Sequence, residues 1–311
     1  MPSSPSRRAA GPGTRGRWLA VAGAAPALAA SVYVVAAGTA AGRSADKAVL
    51  DQDLGGPAEG IASAVVHALG PVTTVFATCV FLAFPLWRRD LSGAAAVIAV
   101  VAGSIALSLG AEEALEALDP LGVEGKRDLG PGFYPSGHAA TILALALGPA
   151  LVAPPGAANR LVLVTSVWAG AMGGAIVGTE SHTPSDVVGG FLVAVFMTAL
   201  AGAALDRSAA GRPRLELRTT SALRRLAALA LRGALAAAAI EAARLGGAPL
   251  EVLHPLLVAS ALALAALAFW IVAAAAAAAT GPPARAPGAP RDRAAPPTRR
   301  RACSPAAEAR P

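Results

Sequence analysis

What most restricts this chain is a succession of apolar runs, each of the order needed to cross a bilayer. About 20 helical residues span the hydrocarbon core. Such runs occupy residues 18–41, 70–86, 92–111, 137–153, 161–178, 187–205 and 253–279. An Ala/Leu-rich stretch at 220–243 carries Arg224, Arg225 and Arg232 and reads either as a span or as a basic interfacial helix. Lipid offers the backbone no hydrogen-bond partners, so the spans are expected as helices. Only 14% of the 311 residues are charged, against about a quarter in a soluble chain. A soluble globular fold is therefore excluded. The expected class is all-α, a polytopic transmembrane helical bundle with a six-helix core and about two further C-terminal helices.

The net charge of +7 does not indicate nucleic acid, because the cations sit in loops and tails between the spans. With eight spans and a cytoplasmic N-terminus, 20 of the 26 Lys and Arg fall on the inside and 5 outside, with Arg232 in a span. Basic residues concentrate on the cytoplasmic side, so both termini are expected there. The same bias favours 220–243 as a span. The run at 18–41 exceeds the apolar part of a cleaved signal peptide and reads as a retained first span. The expected segments are a basic tail at 1–17, a six-span core at 18–205, a helical extension at 206–279 and an Arg/Pro/Ala-rich tail at 280–311. Both tails have a disordered composition. Cys79 and Cys303 form no metal-ligand spacing or disulfide framework. Apart from Arg232, the spans carry almost none of the internal charges that mark ion pathways.

Two polar stretches interrupt the apolar runs on the face expected to lie outside. The first is Phe133-Tyr134-Pro135-Ser136-Gly137-His138. Ser136 is a good N-cap for the helix that follows. The free N–H groups of that helix start and its positive dipole end form an anion-binding position. His138 adds a group that titrates near neutral pH. The second is Thr179-Glu180-Ser181-His182-Thr183-Pro184-Ser185-Asp186. Thr183 reads as an N-cap, Pro184 as the first helical residue and Asp186 as the acid of a capping box. Asp186 has two readings. It caps the helix, or its carboxylate holds the His182 imidazole and makes the other ring nitrogen a better nucleophile. His67, at the head of the second span, reads as interfacial.

Pro135-Ser136-Gly137-His138, followed by His182-x-x-x-Asp186-Val187-Val188-Gly189-Gly190, resembles the type 2 phosphatidic acid phosphatase superfamily over roughly residues 60–205. The resemblance implies a six-helix membrane core with its site at the outer face. It implies that His182 attacks phosphorus to form a phosphohistidine, that Asp186 orients His182, and that His138 protonates the leaving oxygen. Ser136 and Gly137 would hydrogen-bond phosphate oxygens. No metal or other cofactor is implied. The partners implied are a lipid phosphate or pyrophosphate, isoprenoid or phospholipid, and the bilayer; oligomeric state is not implied.

The chain departs from the family at two places. In the first motif, a Lys, six residues, then Arg-Pro, Glu112 and Asp119 stand at the Lys and Arg positions. In the third, Ala175 and Ile176 replace Ser-Arg. Charge-assisted phosphate contacts contribute several kcal/mol to transition-state stabilisation. Either Lys126 and Arg127, in the loop before Ser136, supply the clamp, or activity is weak, or catalysis is lost and the protein binds lipid or a partner.

Overall fold

The computed structural model describes residues 14–51, 56–68, 70–118, 134–179 and 181–208, together with Ala228 and Arg232. Eight α-helices and no strand occur among them: α1 (Thr14–Gly38), α2 (Ala40–Leu50), α3 (Gly56–His67), α4 (Pro71–Trp87), α5 (Leu91–Leu118), α6 (Gly137–Val152), α7 (Pro155–Gly178) and α8 (Pro184–Ser208). Lys126, Arg127, Asp119 and Glu180 lie outside the described residues, as do nearly all of the expected C-terminal extension and the tail at 280–311.

The expected all-helical bundle is observed. α6 is its centre, packed against α5, α7 and α8, with α4 touching it as well. It is apolar on every face, which suits a helix with no side left for solvent. Ile142, Leu143, Ala144 and Ala146 are fully buried. α8 lies between α6 and α1, and Phe191, Ala194 and Ala199 are fully buried along it. α1 reaches α8 through Trp18, whose ring packs on Gly202 at a position where any Cβ would stand 2.7 Å from a ring carbon.

Among the described residues, three helices are long and apolar enough to cross a membrane: Arg15–Gly38, Leu91–Leu118 and Pro184–Leu205. α3 and α4 together make a fourth candidate, bent by 62°. α6 has only 16 residues, about 24 Å of helix at 1.5 Å per residue. The stretch Val167–Gly178 of α7 is also a shorter apolar helix. The third expected span continues beyond residue 111 for about two turns, carrying Glu112, Glu113 and Glu116 on the end of α5.

Residues 42–60, which read as a polar loop from their charges and the Gly55-Gly56-Pro57 turn signal, instead carry most of α2 and the start of α3. Thr39 caps α2, its hydroxyl oxygen accepting from Gly42 N–H at 2.9 Å, and Asp46 and Val49, three residues apart, are the buried pair of that helix. Charge density suggested loop because an amphipathic helix outside the bilayer is rich in polar residues. Its buried face follows the same helical spacing as any other.

α8 approaches the segment leading into α6 closely. A Cβ on Gly190 would collide with the Ser136 carbonyl oxygen and lie 2.9 Å from Ala140 N; one on Gly189 would run into the Tyr134 ring. Gly23, on α1, has nothing near its Cβ position. Gly190→Ala is therefore expected to lower stability by about 1–3 kcal/mol through overpacking. Gly23→Ala should be neutral or gain up to about 1 kcal/mol from helix propensity. Thermal unfolding of the two variants in one detergent checks this ordering.

Candidate active site

The residues singled out in the two polar stretches come together at one end of the bundle. Ser136 N–H donates to the Asp186 carbonyl at 2.9 Å, so the start of α6 is joined to the start of α8. Ser136 is the N-cap of α6, its hydroxyl oxygen accepting from Ala139 N–H at 3.3 Å. The first backbone bond of the helix runs from Ala140 N–H to the Ser136 carbonyl at 3.0 Å. The N–H groups of Gly137 and His138 precede that bond, and are the ones a helix leaves for an outside acceptor. Ser136 itself is fully buried, while His138 is exposed.

His182 stands across from His138, with ring centroids 6.2 Å apart and planes inclined by 58°. Its side chain is 14% exposed. The ring nitrogen Nδ1 is buried without a hydrogen-bond partner, and Asp186 Oδ2 is 3.9 Å from it. That is beyond hydrogen-bond length. Catalytic hydrogen bonds are often this long before a ligand binds and shorten in the complex.

Asp186 also has a defined structural task. Thr183 N–H donates to Asp186 Oδ2 at 3.1 Å, and Asp186 N–H donates to the Thr183 hydroxyl oxygen at 3.3 Å. This is the reciprocal capping box read from Thr183-Pro184-Ser185-Asp186. The oxygen that caps the helix is the one facing His182, so the two readings of Asp186 meet in one atom.

Tyr134 fixes the other side of the motif. Its hydroxyl donates to the Ala29 carbonyl of α1 at 2.6 Å, and its ring lies 5.3 Å from that of Tyr33. Burial, with the Asp186 charge adding, pushes its phenol well above the usual tyrosine range, so it stays a neutral donor. Sequence reasoning passed over this residue, although its neighbour Pro135 was used.

A second residue it passed over is Asp46 of α2. Ser185 Oγ donates to Asp46 Oδ2 at 2.6 Å, and the Thr183 and Ser185 hydroxyl oxygens are 2.9 Å apart. Burial raises the Asp46 carboxyl above the ordinary carboxylate range; the Ser185 bond opposes this and the Asp186 charge adds to it. The available signal was its helical spacing with Val49.

Among the described residues, acidic groups are electrostatically coupled to His182. Glu112, at the position of the family's Lys, interacts electrostatically with His182 and Asp186. Ile176, at the position of the family's Arg, is fully buried in the apolar core. His67 lies exposed at the end of α3, with Nδ1 2.8 Å from the Ser63 carbonyl, and interacts electrostatically with His138. Among the described residues no group of three or more His, Cys, Asp or Glu is arranged to hold a metal ion.

The PAP2 superfamily model matches residues 110–208. That interval runs from the end of α5 through α8 and contains His138, His182 and Asp186. No curated protein and no solved structure matches the chain.

The dual position of Asp186 can be separated by substitution. Asp186→Asn keeps an oxygen acceptor for Thr183 N–H, and its stability should stay within about 1 kcal/mol of the parent chain, since an amide oxygen serves a capping box as a carboxylate does. Asp186→Ala leaves a buried N–H unpaired and should cost about 1–3 kcal/mol. Thermal unfolding of the two variants gives the comparison.

Proposed function

Starting from the membership of the type 2 phosphatidic acid phosphatase superfamily that the match over residues 110–208 supports, we propose that this protein is a membrane phosphatase. Its substrate is a lipid phosphate or pyrophosphate, isoprenoid or phospholipid, taken at the extracytoplasmic face, with both termini cytoplasmic. The observation that carries the reading is the 6.2 Å approach of His138 and His182 beside the open N–H groups of the α6 start. A site at helix ends receives a headgroup while the acyl or prenyl tails stay in lipid.

The chemistry follows from which nitrogen is free. Nδ1 of His182 faces Asp186. With its proton there, donated toward the carboxylate, the lone pair of Nε2 is available to phosphorus. The N–P bond forms as the bond from phosphorus to the leaving oxygen breaks, and His138 gives that oxygen a proton. In the second step His138 takes a proton from water, the water oxygen attacks phosphorus, and the N–P bond breaks to release phosphate. The Asp186 charge stabilises the imidazolium formed between the steps. Gly137 and His138 N–H groups, with the Ser136 hydroxyl, bind phosphoryl oxygens. Lys126 and Arg127 supply the cationic clamp in place of the family's first-motif Lys and Arg, at whose positions this chain has Glu112 and Asp119. The reaction as written calls on no metal or other cofactor.

Purified full-length protein should release phosphate from a lipid phosphate in the presence of a chelator, and His182→Ala should reduce release to background. Asp186→Asn should lower turnover while unfolding near the parent temperature. Lys126→Ala and Arg127→Ala should each weaken vanadate binding about tenfold, the usual loss for one hydrogen bond to a charged group. Glu112→Gln should strengthen it, by removing a negative charge beside the anion. Unchanged release from His182→Ala would exclude the mechanism.

A second reading rests on Glu112 and Ile176. Ile176 is committed to the core and Glu112 repels an anion, as expected of a protein that binds lipid or a partner without hydrolysis. Absence of release from every lipid phosphate tested, with vesicle binding retained, would select it.

A further inference from the structure

α2 lies outside residues 110–208 and contributes nothing to the reaction outlined above. It nevertheless packs on α7 and α8 as well as on α1, and its buried acid, Asp46, is bonded to Ser185 in the first turn of α8, just after the loop that carries His182. The Ser185 hydroxyl proton can be assigned. Ser185 has a single hydroxyl proton, which goes to Asp46 Oδ2 at 2.6 Å. The Thr183 hydroxyl lies 2.9 Å from the Ser185 oxygen and also hydrogen-bonds the Asp46 carboxylate. The Thr183 oxygen in turn accepts from Asp186 N–H at 3.3 Å. Asp186 N–H, Thr183 and Ser185 thus form a chain that ends on the Asp46 carboxylate. Chains of this kind polarise and strengthen each other.

We propose that Asp46 is a positioning residue for His182, acting through Ser185 and Thr183 to fix the loop between α7 and α8 and so the separation of the His182 ring from Asp186. It touches neither ring. Without it, Ser185 loses its acceptor, the direction of the Thr183 hydroxyl is no longer set, and the capping box that holds Asp186 Oδ2 toward His182 loosens. The buried Nδ1 of His182, with Asp186 Oδ2 at 3.9 Å, is the atom that would register such a movement. The kinetic part of the proposal rests on His182 being the phosphoryl acceptor; the positional part does not.

The test uses the full-length protein in nanodiscs with 15N-labelled histidine, the His182 signals being assigned by their loss in His182→Gln. Asp46→Ala and Ser185→Ala should shift the His182 ring-nitrogen signals toward mixed tautomers and leave His67 unmoved. Asp46→Asn, which keeps an acceptor for Ser185, should restore the parent spectrum. In phosphate release the two alanine variants should lose about tenfold or more in kcat, as for small misplacements of a reacting group, with KM little changed. Ser185→Ala removes one hydroxyl and serves if Asp46→Ala does not fold. Parent-like His182 signals in folded Ser185→Ala and Asp46→Ala would overturn the proposal. If the parent chain releases no phosphate yet both variants move the His182 signals, hydrolysis is excluded and the positioning stands.

Discussion

The site depends on one backbone hydrogen bond. Ser136 N–H to the Asp186 carbonyl, at 2.9 Å, joins segments some fifty residues apart in the chain. Each segment caps a helix, so the bond fixes two helix starts, not two flexible loops. It forms because Gly189 and Gly190 leave no side chain between α8 and the Tyr134–Ser136 segment. Tyr134 then closes the arrangement onto α1 through the Ala29 carbonyl. His138 and His182 face each other because the backbones that carry them are held within hydrogen-bonding distance.

The same economy governs Asp186. A capping acid and the orienting carboxylate of a nucleophilic histidine have different requirements, one an acceptor for a backbone N–H and the other a charge beside a ring nitrogen. In this loop a single oxygen faces both Thr183 N–H and His182 Nδ1. Cap geometry thus places the charge. A carboxylate tethered at a helix start has little freedom to turn away.

Much of this was legible in the residues. The apolar runs gave α1, α4, α6 and α8 nearly at their boundaries, because a long apolar helix is specified by composition. Ser136 and Thr183 were legible as caps because capping is local chemistry between neighbours. Asp46 and Tyr134 were not, since their partners, Ser185 and Ala29, are distant in sequence and no local rule links them. α2 was missed because polar composition was taken as a sign of loop. The end of α5 was drawn short for a related reason: its glutamates interrupt the hydropathy but not the helix. Ile176 was legible as a missing arginine; its commitment to the core emerged only from packing.

The acidic surroundings sharpen the chemical question. With Glu112 electrostatically coupled to His182 and the apolar Ile176 buried in the core, the proposed reaction relies on helix-start N–H groups and on Lys126 and Arg127 to hold phosphate. If those suffice, His182 becomes covalently phosphorylated during turnover. The most direct measurement is rapid acid-free quenching of the full-length protein with a 32P-labelled lipid phosphate, followed by mapping of the labelled residue. The account predicts a base-stable, acid-labile label on His182 that is absent from His182→Ala. A label on another residue, or turnover with no labelled protein at any time point, would contradict it.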